Sequence, residues 1–537
     1  MEKAADRLTP PQEDYEKKNE AAVPLADPMD NLEVPIVVWW RHAGLLRLYA
    51  MMPVLFLGAT INGYDGSLLN GLQTMTPWQN YFGNPTGSRL GLFTAIQNIG
   101  GVVAMPFASY SADLLGRRMG TSIGIIVVFI GVILQVTEEA VPTNNPASMY
   151  IGGRFMVGLG ANITQGSAPL LIMELAYPQH RGKLTTLYNT LWASSIIAAW
   201  TVFGCVKYTT NAAWQIPVAL QALMPLVQLI LIWFIPESPR WLCSKDRGRE
   251  ALEILVKYHA NGDESDAFVQ AEFYEIQNTL QLERASANNN WSDLFKTSGN
   301  RKRLVLITLV SFFSQCSGNG LVSYYLHSIL ESVGITSSYD QTVINGGLQI
   351  WSFLVAVGFA FAVDKVGRRK LFLIAAIGML ISFTIWTACS AVYAKTGSSQ
   401  AGSAVIAMIF LFYGVAGFAW PGLTIAYCAE ILPYNIRAKG LALSGTLTAC
   451  ASVFNQYVNP IGLEKLQWKF YFVYIAILVL ECLSIYFLFV ETKGPTLEEI
   501  AHLFDGDDAN IGGKISADQK VSHINAEHIE TVDNKEV

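Results

Sequence analysis

Stretches of about 20 predominantly apolar residues, the length a helix needs to cross the hydrocarbon core, recur along the chain. They lie near 48–67, 90–110, 119–138, 149–171, 187–206 and 214–235, and again near 304–326, 341–363, 371–394, 404–428, 440–460 and 469–490. Twelve such spans predict an all-α membrane protein. The single long polar insertion between spans, Pro236 to Arg303, separates two sets of six. Within it, Ala251–Tyr258 and Asp266–Arg284 place apolar residues at helical spacing among charges, which predicts short amphipathic helices. The chain therefore divides into a polar tail (1–44), a six-helix half (45–235), a loop with short helices (236–303), a second six-helix half (304–490) and a polar C-terminal tail (491–537).

Composition narrows the picture. Of 537 residues, 52% are hydrophobic and 15% charged, whereas a soluble domain carries about 25% charge. The net charge of −6 gives no electrostatic case for nucleic acid. The seven cysteines lie mostly in apolar segments without metal-ligand spacing and read as small packing residues. No P-loop, zinc motif or nucleophile triad is present, so neither an enzyme nor a cofactor is expected. The segment up to about Pro35 has no apolar core of a signal peptide, so the first span is expected to direct insertion.

Lys and Arg set the expected orientation. The connections holding Arg117 and Arg118, and Lys365, Arg368, Arg369 and Lys370, are basic, while Glu138–Ser148 and Glu331–Gln341 contain neither residue type. Basic loops stay in the cytoplasm, which puts both termini there as well.

Two intramembrane charges stand out. Asp65 lies near the far end of the first span and Arg154 a few residues into the fourth. Either alone in hydrocarbon costs roughly 2.5–3.5 kcal/mol on insertion scales, so each is expected to face the bundle interior and find a partner.

The halves repeat. Asp113-Leu114-Leu115-Gly116-Arg117-Arg118 returns as Asp364-Lys365-Val366-Gly367-Arg368-Arg369; Glu174 with Arg181 returns as Glu430 with Arg437; Glu237 is echoed by Glu491. These pairs lie 251, 256 and 254 residues apart, which indicates a parallel repeat of two six-helix units with a site between them near mid-membrane.

The ordered set Gly63-Tyr64-Asp65, the two Asp-x-x-Gly-Arg-Arg turns, Gly153-Arg154, Glu174 through Arg181-Gly182, Pro236-Glu237-Ser238-Pro239-Arg240-Trp241-Leu242 and Glu491-Thr492-Lys493-Gly494 resembles the sugar porter family of the major facilitator superfamily over about residues 45 to 503. The resemblance implies the major facilitator fold. It also implies a cytoplasmic latch of Asp113, Arg117, Arg118, Glu174, Arg181, Glu237, Arg240, Asp364, Arg368, Arg369, Glu430, Arg437 and Glu491. In proton-coupled members an Asp at the position of Asp65 pairs with an Arg at that of Arg154, and protonation releases the pair. The proton is then the coupling ion.

A sugar site calls for neutral amides and aromatic faces. Gln315 and Asn319 fall four apart on one helix face, followed by Tyr324 and Tyr325. By resemblance, Asn189, Trp420 and Asn455 match further sugar-site positions, and Gln165 and Gln349 are additional polar candidates, for which packing or interhelical bonding is an equal reading. Hexose and pentose transporters carry Gln-Gln where this chain has Ser314-Gln315, and an Asn where it has Gly320. The run Ser317–Tyr325 instead resembles fungal lactose permeases and cellodextrin transporters, and the shortened side chains at 314 and 320 would widen the site for a second sugar ring.

The resulting expectation is a monomeric, proton-coupled disaccharide importer, for lactose or cellodextrin, in a fungal plasma membrane. A hexose or pentose transporter, a passive uniporter and a non-transporting sugar sensor of the same fold are the alternatives.

Overall fold

A computed structural model describes residues 37–138, 146–286, 291–360, 366–493 and 504. Every regular element among them is a helix. The first half contains α1 (Ala43–Leu72), short α2 (Thr76–Phe82), α3 (Gly87–Leu115), α4 (Arg117–Val136), α5 (Pro146–Leu175), α6 (Arg181–Thr190), α7 (Ser194–Cys205), α8 (Ala212–Leu220) and α9 (Leu223–Leu231). The polar insertion holds α10 (Pro239–Ser244), α11 (Gly248–His259), α12 (Ala267–Ser286) and α13 (Asp293–Lys296). The second half contains α14 (Ser298–Cys316), α15 (Asn319–Ser332), α16 (Ser338–Ala360), α17 (Arg368–Thr396), α18 (Ser399–Ala416), α19 (Trp420–Ile431), α20 (Tyr434–Leu466) and α21 (Tyr471–Leu488).

Nine helical stretches among the described residues are long and apolar enough to cross a membrane, and the last, Lys439–Leu488, covers two passages. With the α6–α7 pair and α16 the passages number twelve, six in each half.

Apolar side chains gain little by leaving lipid for a neighbouring helix, so close backbone approach has to supply much of the packing. Gly158 shows how. A Cβ there would stand 1.9 Å from the Gln97 carbonyl oxygen, so α5 meets α3 backbone to backbone.

Two passages expected to be continuous are broken. The seventh parts between α14 and α15 at Gly318, whose φ of 104° lies in the left-handed region; an L side chain there would cost roughly 1–2 kcal/mol. The tenth parts between α18 and α19, and Pro421 occupies the first turn of α19, where its missing N–H deprives no helical bond. Freed backbone groups are tolerated at membrane depth only where protein or a wet cavity satisfies them, so such breaks mark places where polar groups converge.

The Gly116 and Gly367 turns define a basic face of the molecule. At the opposite face the halves are joined. Gln73 Nε2 donates to the Tyr324 carbonyl (2.9 Å), Gln79 meets His327 (3.3 Å) and Thr86 donates to Glu464 (2.9 Å). Deeper in, Asn70 donates to Asn345 (3.4 Å) and Asn98 to Ser452 (3.0 Å).

Candidate functional site

Asp65 and Arg154 meet. They come from the last third of α1 and the first third of α5, are 4% and 3% exposed, and pair through Arg154 Nη2 and Asp65 Oδ2 at 3.4 Å. Each has an amide as second partner: Gln221, between α8 and α9, donates to Asp65 Oδ1 (3.0 Å), and Gln97 on α3 accepts from Arg154 Nη2 (2.6 Å). Four passages thus converge on one buried ion pair. At 3.4 Å the contact is longer than a charge-assisted bond of about 2.7–2.9 Å, so the amides carry part of the compensation. Gln97 and Gln221 escape sequence reading because their relevance comes only from non-local packing; their one signal is an amide inside an otherwise apolar passage.

The amides of the seventh passage gather at its break. Asn319 Nδ2 donates to the Ser314 carbonyl (2.9 Å), and Tyr413 on α18 donates to the Asn319 carbonyl (2.9 Å). Asn455 on α20 donates to the Gln315 carbonyl (2.8 Å) and accepts from Asn459 (2.6 Å). Gln315 and Asn319 remain half-buried, as does Gln349 on α16. Gln165 is exposed on α5 and accepts from Asn62 of α1 (2.8 Å). Gln315, Asn319, Gln349 and Gln165 thus keep neutral amide surface of the kind sugar hydroxyls would engage, whereas Asn455 is 4% exposed and its amide is spent on Gln315 and Asn459. The side chain of Asn189 lies outside the described residues.

Several sequence expectations about this site change. Gly320 does not widen it: a Cβ there would stand 2.7 Å from Asn455 Oδ1, so the missing side chain makes room for a neighbouring amide. Ser314 is buried, bonded to the Ser311 carbonyl (2.8 Å), and releases no volume to a ligand. Tyr325 is fully buried, with its hydroxyl on Thr94 Oγ1 and the Gln456 carbonyl, so it joins the halves instead of offering a stacking face. Tyr324 stays half-buried beside it. Trp420 is only 7% exposed and packs on Phe372 with ring centroids 5.0 Å apart.

On the basic face the two Gly-Arg-Arg turns share one construction. Gly116 and Gly367 have φ of 98° and 101°, and their missing side chains leave room for Glu237 and Glu491, whose oxygens would stand 2.6 and 2.8 Å from a Cβ. Glu237 accepts from the backbone N–H groups of Arg117 (3.1 Å) and Arg118 (3.2 Å), and Glu491 from that of Arg368 (2.8 Å). Each acid therefore caps the N-terminus of the helix that follows, where free N–H groups and the dipole favour negative charge. Burial still pushes the Glu237 carboxyl up from the usual range against that pull.

The arginine side chains complete each network within its own half. Arg117 makes a fork to Glu174 (3.0 and 3.1 Å) and reaches Asp113 (3.2 Å). Arg368 pairs with Glu430 (3.1 Å). Arg118, Arg369, Arg181 and Arg437 each donate to a backbone carbonyl, of Trp233, Tyr486, Ala176 and Leu432 respectively. Arg240 sits on α10 among them. Asp364 lies outside the described residues.

One further cluster was not legible in the sequence. Arg181 also binds Glu272 of α12 (3.0 Å), whose other oxygen meets His259 Nδ1 (2.8 Å), while His259 Nε2 faces the Leu175 carbonyl (3.2 Å). Both ring nitrogens of His259 are thus held by oxygens, one on α12 and one at the end of α5. The helices of the insertion are thereby fastened to the end of α5.

Comparison with known proteins agrees with this architecture. The profile described as "Sugar (and other) transporter" matches residues 51–504. Hexose transporter HXT13 of Saccharomyces cerevisiae is 28% identical over 482 residues, covering 86% of this chain and 83% of its own. The galactose transporter of the same yeast is 26% identical, covering 83% and 79%. Among solved structures, the inward-open conformation of the xylose transporter XylE from E. coli superimposes with a TM-score of 0.70 over 85% of this chain and all of its own; at 21% identity it speaks to fold alone. Since the profile runs through both halves and both Gly-Arg-Arg turns, the chain belongs to the sugar (and other) transporter family of the major facilitator fold.

Proposed function

We propose that the protein is a plasma-membrane importer of hexose-class monosaccharides that couples uptake to protons by alternating access. The observation that carries the coupling is the buried Asp65–Arg154 pair, held by Gln97 and Gln221. Protonating Asp65 cancels one charge of the pair and frees Arg154, so proton loading and helix packing are linked. With the basic face in the cytoplasm, the bonds from Gln73, Gln79 and Thr86 close the outward path, and the half-buried amides at the break of the seventh passage belong to a site reached from inside.

Two things favour a monosaccharide over the disaccharide expected from the Ser317–Tyr325 run. The relatives are named for hexose and galactose. The volume once assigned to a second ring, at Ser314 and Gly320, is taken up inside the protein.

Purified protein in liposomes tests both parts. Glucose and galactose should exchange in preference to lactose and cellobiose, and an inward proton gradient should drive accumulation that a protonophore collapses. Preferred exchange of lactose or cellobiose would restore the disaccharide reading. Indifference to the gradient would make the protein a uniporter, and signalling without uptake would make it a sensor.

A further inference from the structure

The second half contains its own buried acid, which the transport mechanism above does not use. Glu481 lies in the middle of α21, the twelfth passage, and is 0% exposed. It meets Ser317, the last residue before the Gly318 break in the seventh passage, through Oε2 and the serine hydroxyl. Its other oxygen has no hydrogen-bond partner among the described residues.

Protons can be counted at Ser317. Its Oγ lies 2.5 Å from the Phe313 carbonyl and in hydrogen-bond contact with Glu481 Oε2. A carbonyl only accepts, and a hydroxyl carries one proton. With that proton given to Phe313, the contact to Glu481 needs a second one, and the carboxyl is the group able to bring it. The arrangement that satisfies both contacts is Glu481 O–H donating to Ser317 Oγ, and Ser317 O–H donating to Phe313.

The surroundings agree. Ser317, just past the end of α14, and the Trp420 indole from α19 act on the carboxyl, and Cys482 is its neighbour on α21; among the described residues of α17 and of the turn Gln467–Phe470, which also pack on α21, no charged or titratable side chain acts on it. An ionised carboxylate would have one serine hydroxyl and an indole N–H outside hydrogen-bond geometry to replace its hydration. A neutral acid needs far less.

We propose that Glu481 is a positioning residue kept in its protonated form, whose O–H bond to Ser317 fixes the break of the seventh passage and with it the aim of Gln315 and Asn319. The helix bend that presents the candidate sugar amides then depends on a proton that is separate from the one on Asp65. This goes beyond the coupling role of Asp65 and uses the transport reading only for its readout.

Sugar exchange at equal pH on both sides, followed from acid to alkaline, tests the proposal together with infrared spectroscopy of the purified protein. Wild type should show the C=O band of a protonated carboxylic acid at neutral pH, absent in Glu481→Gln. Exchange should fall on the alkaline side as that band disappears. Glu481→Gln, whose amide can still donate to Ser317, should keep exchange within about threefold of wild type and lose the alkaline fall, whereas Glu481→Leu, which brings no donor to Ser317 Oγ, should lose at least about tenfold at every pH. A missing band in folded wild type, or an alkaline fall unchanged in Glu481→Gln, would overturn the proposal. If Glu481→Gln does not fold, titration of the wild-type band against exchange still decides, through agreement or disagreement of the two midpoints. The infrared arm is independent of the substrate, so its failure is distinguishable from failure of the hexose reading.

Discussion

Asp65 and Glu481 are both carboxyl groups inside membrane passages, one in each half, and both are almost entirely buried, at 4% and 0% exposure. Their neighbours could hardly differ more. Asp65 faces the guanidinium of Arg154 and the amide of Gln221; Glu481 faces a serine hydroxyl and an indole, with no cation among the described residues acting on it. A buried negative charge is tolerable when a positive one answers it, and otherwise the acid keeps its proton. On the two proposals above, the same residue class at the same burial is a charged, switchable pair in one half and a neutral strut in the other.

The largest expected break in this comparison comes from removing the cation. Arg154→Leu leaves Asp65 as an uncompensated buried charge, which costs about 3–5 kcal/mol when one partner of a buried pair is lost. Melting of the detergent-purified protein should drop sharply, and uptake should fall by about 100-fold or more. Adding Asp65→Asn should recover most of the melting temperature but not uphill accumulation. A stable, accumulating Arg154→Leu single variant would show that the pair carries neither coupling nor stability.

Asp65→Asn alone sharpens the contrast. The amide keeps the shape and remains able to accept from Gln221, but it does not titrate. Accumulation against a gradient should disappear, and melting should fall because Arg154 loses its counter-charge, while exchange by the folded protein at equal sugar concentrations stays within about threefold, since the protonated Asp65 of the proposed cycle also leaves Arg154 without an anion. The matching amide at position 481 is expected to leave both activities in place. Equal behaviour of the two amide variants would erase the distinction between a switching acid and a static one.

The sequence carried this comparison only in part. Twelve passages and the repeat were readable because apolar length and basic turns each leave a local mark; a charge in lipid marked Asp65 and Arg154 as needing partners, and the family resemblance paired them. The break at Gly318 was not, because a glycine in an apolar run signals equally well a close helix contact, as at Gly158, or a left-handed turn. Gly320 misled for a related reason: a lost side chain shows volume removed but not which neighbour fills it, and here Asn455 does. Glu481 was passed over because the repeat and motif arguments offered it no counterpart. Glu272 and His259 gain their meaning only once α11 and α12 fold back on α5.

A smaller effect is expected where the seventh passage touches the first half. Tyr325→Phe removes the hydroxyl that joins Thr94 and the Gln456 carbonyl across the halves. Losing one such bond, worth about 1 kcal/mol, should move the balance toward the outward-open form by roughly fivefold. Labelling of Asn345→Cys, a residue sealed at that interface beside Asn70, by a membrane-impermeant thiol reagent should speed up in proportion. Unchanged labelling would mean that the break and the closure at its outer end move independently, and that a strut at Ser317 has no leverage on access.

The smallest effect should come from Trp420→Phe, and it separates two explanations of how Glu481 is accommodated. The indole N–H lies beside the carboxyl but forms no bond at standard geometry. If Glu481 were ionised, this N–H would be one of very few groups available to its charge, and losing it would cost far more than a neutral contact, in the manner of Arg154→Leu. With a neutral acid the phenyl ring keeps the packing on Phe372, and exchange at neutral pH should change by less than about twofold, since no formed hydrogen bond is lost. The apparent KM should also hold, because a ring that is 7% exposed and seated against Phe372 offers little face to a sugar in this conformation. A KM raised tenfold or more would return Trp420 to the sugar site. A collapse of exchange at unchanged KM would instead mean that the second half, like the first, holds a buried charge.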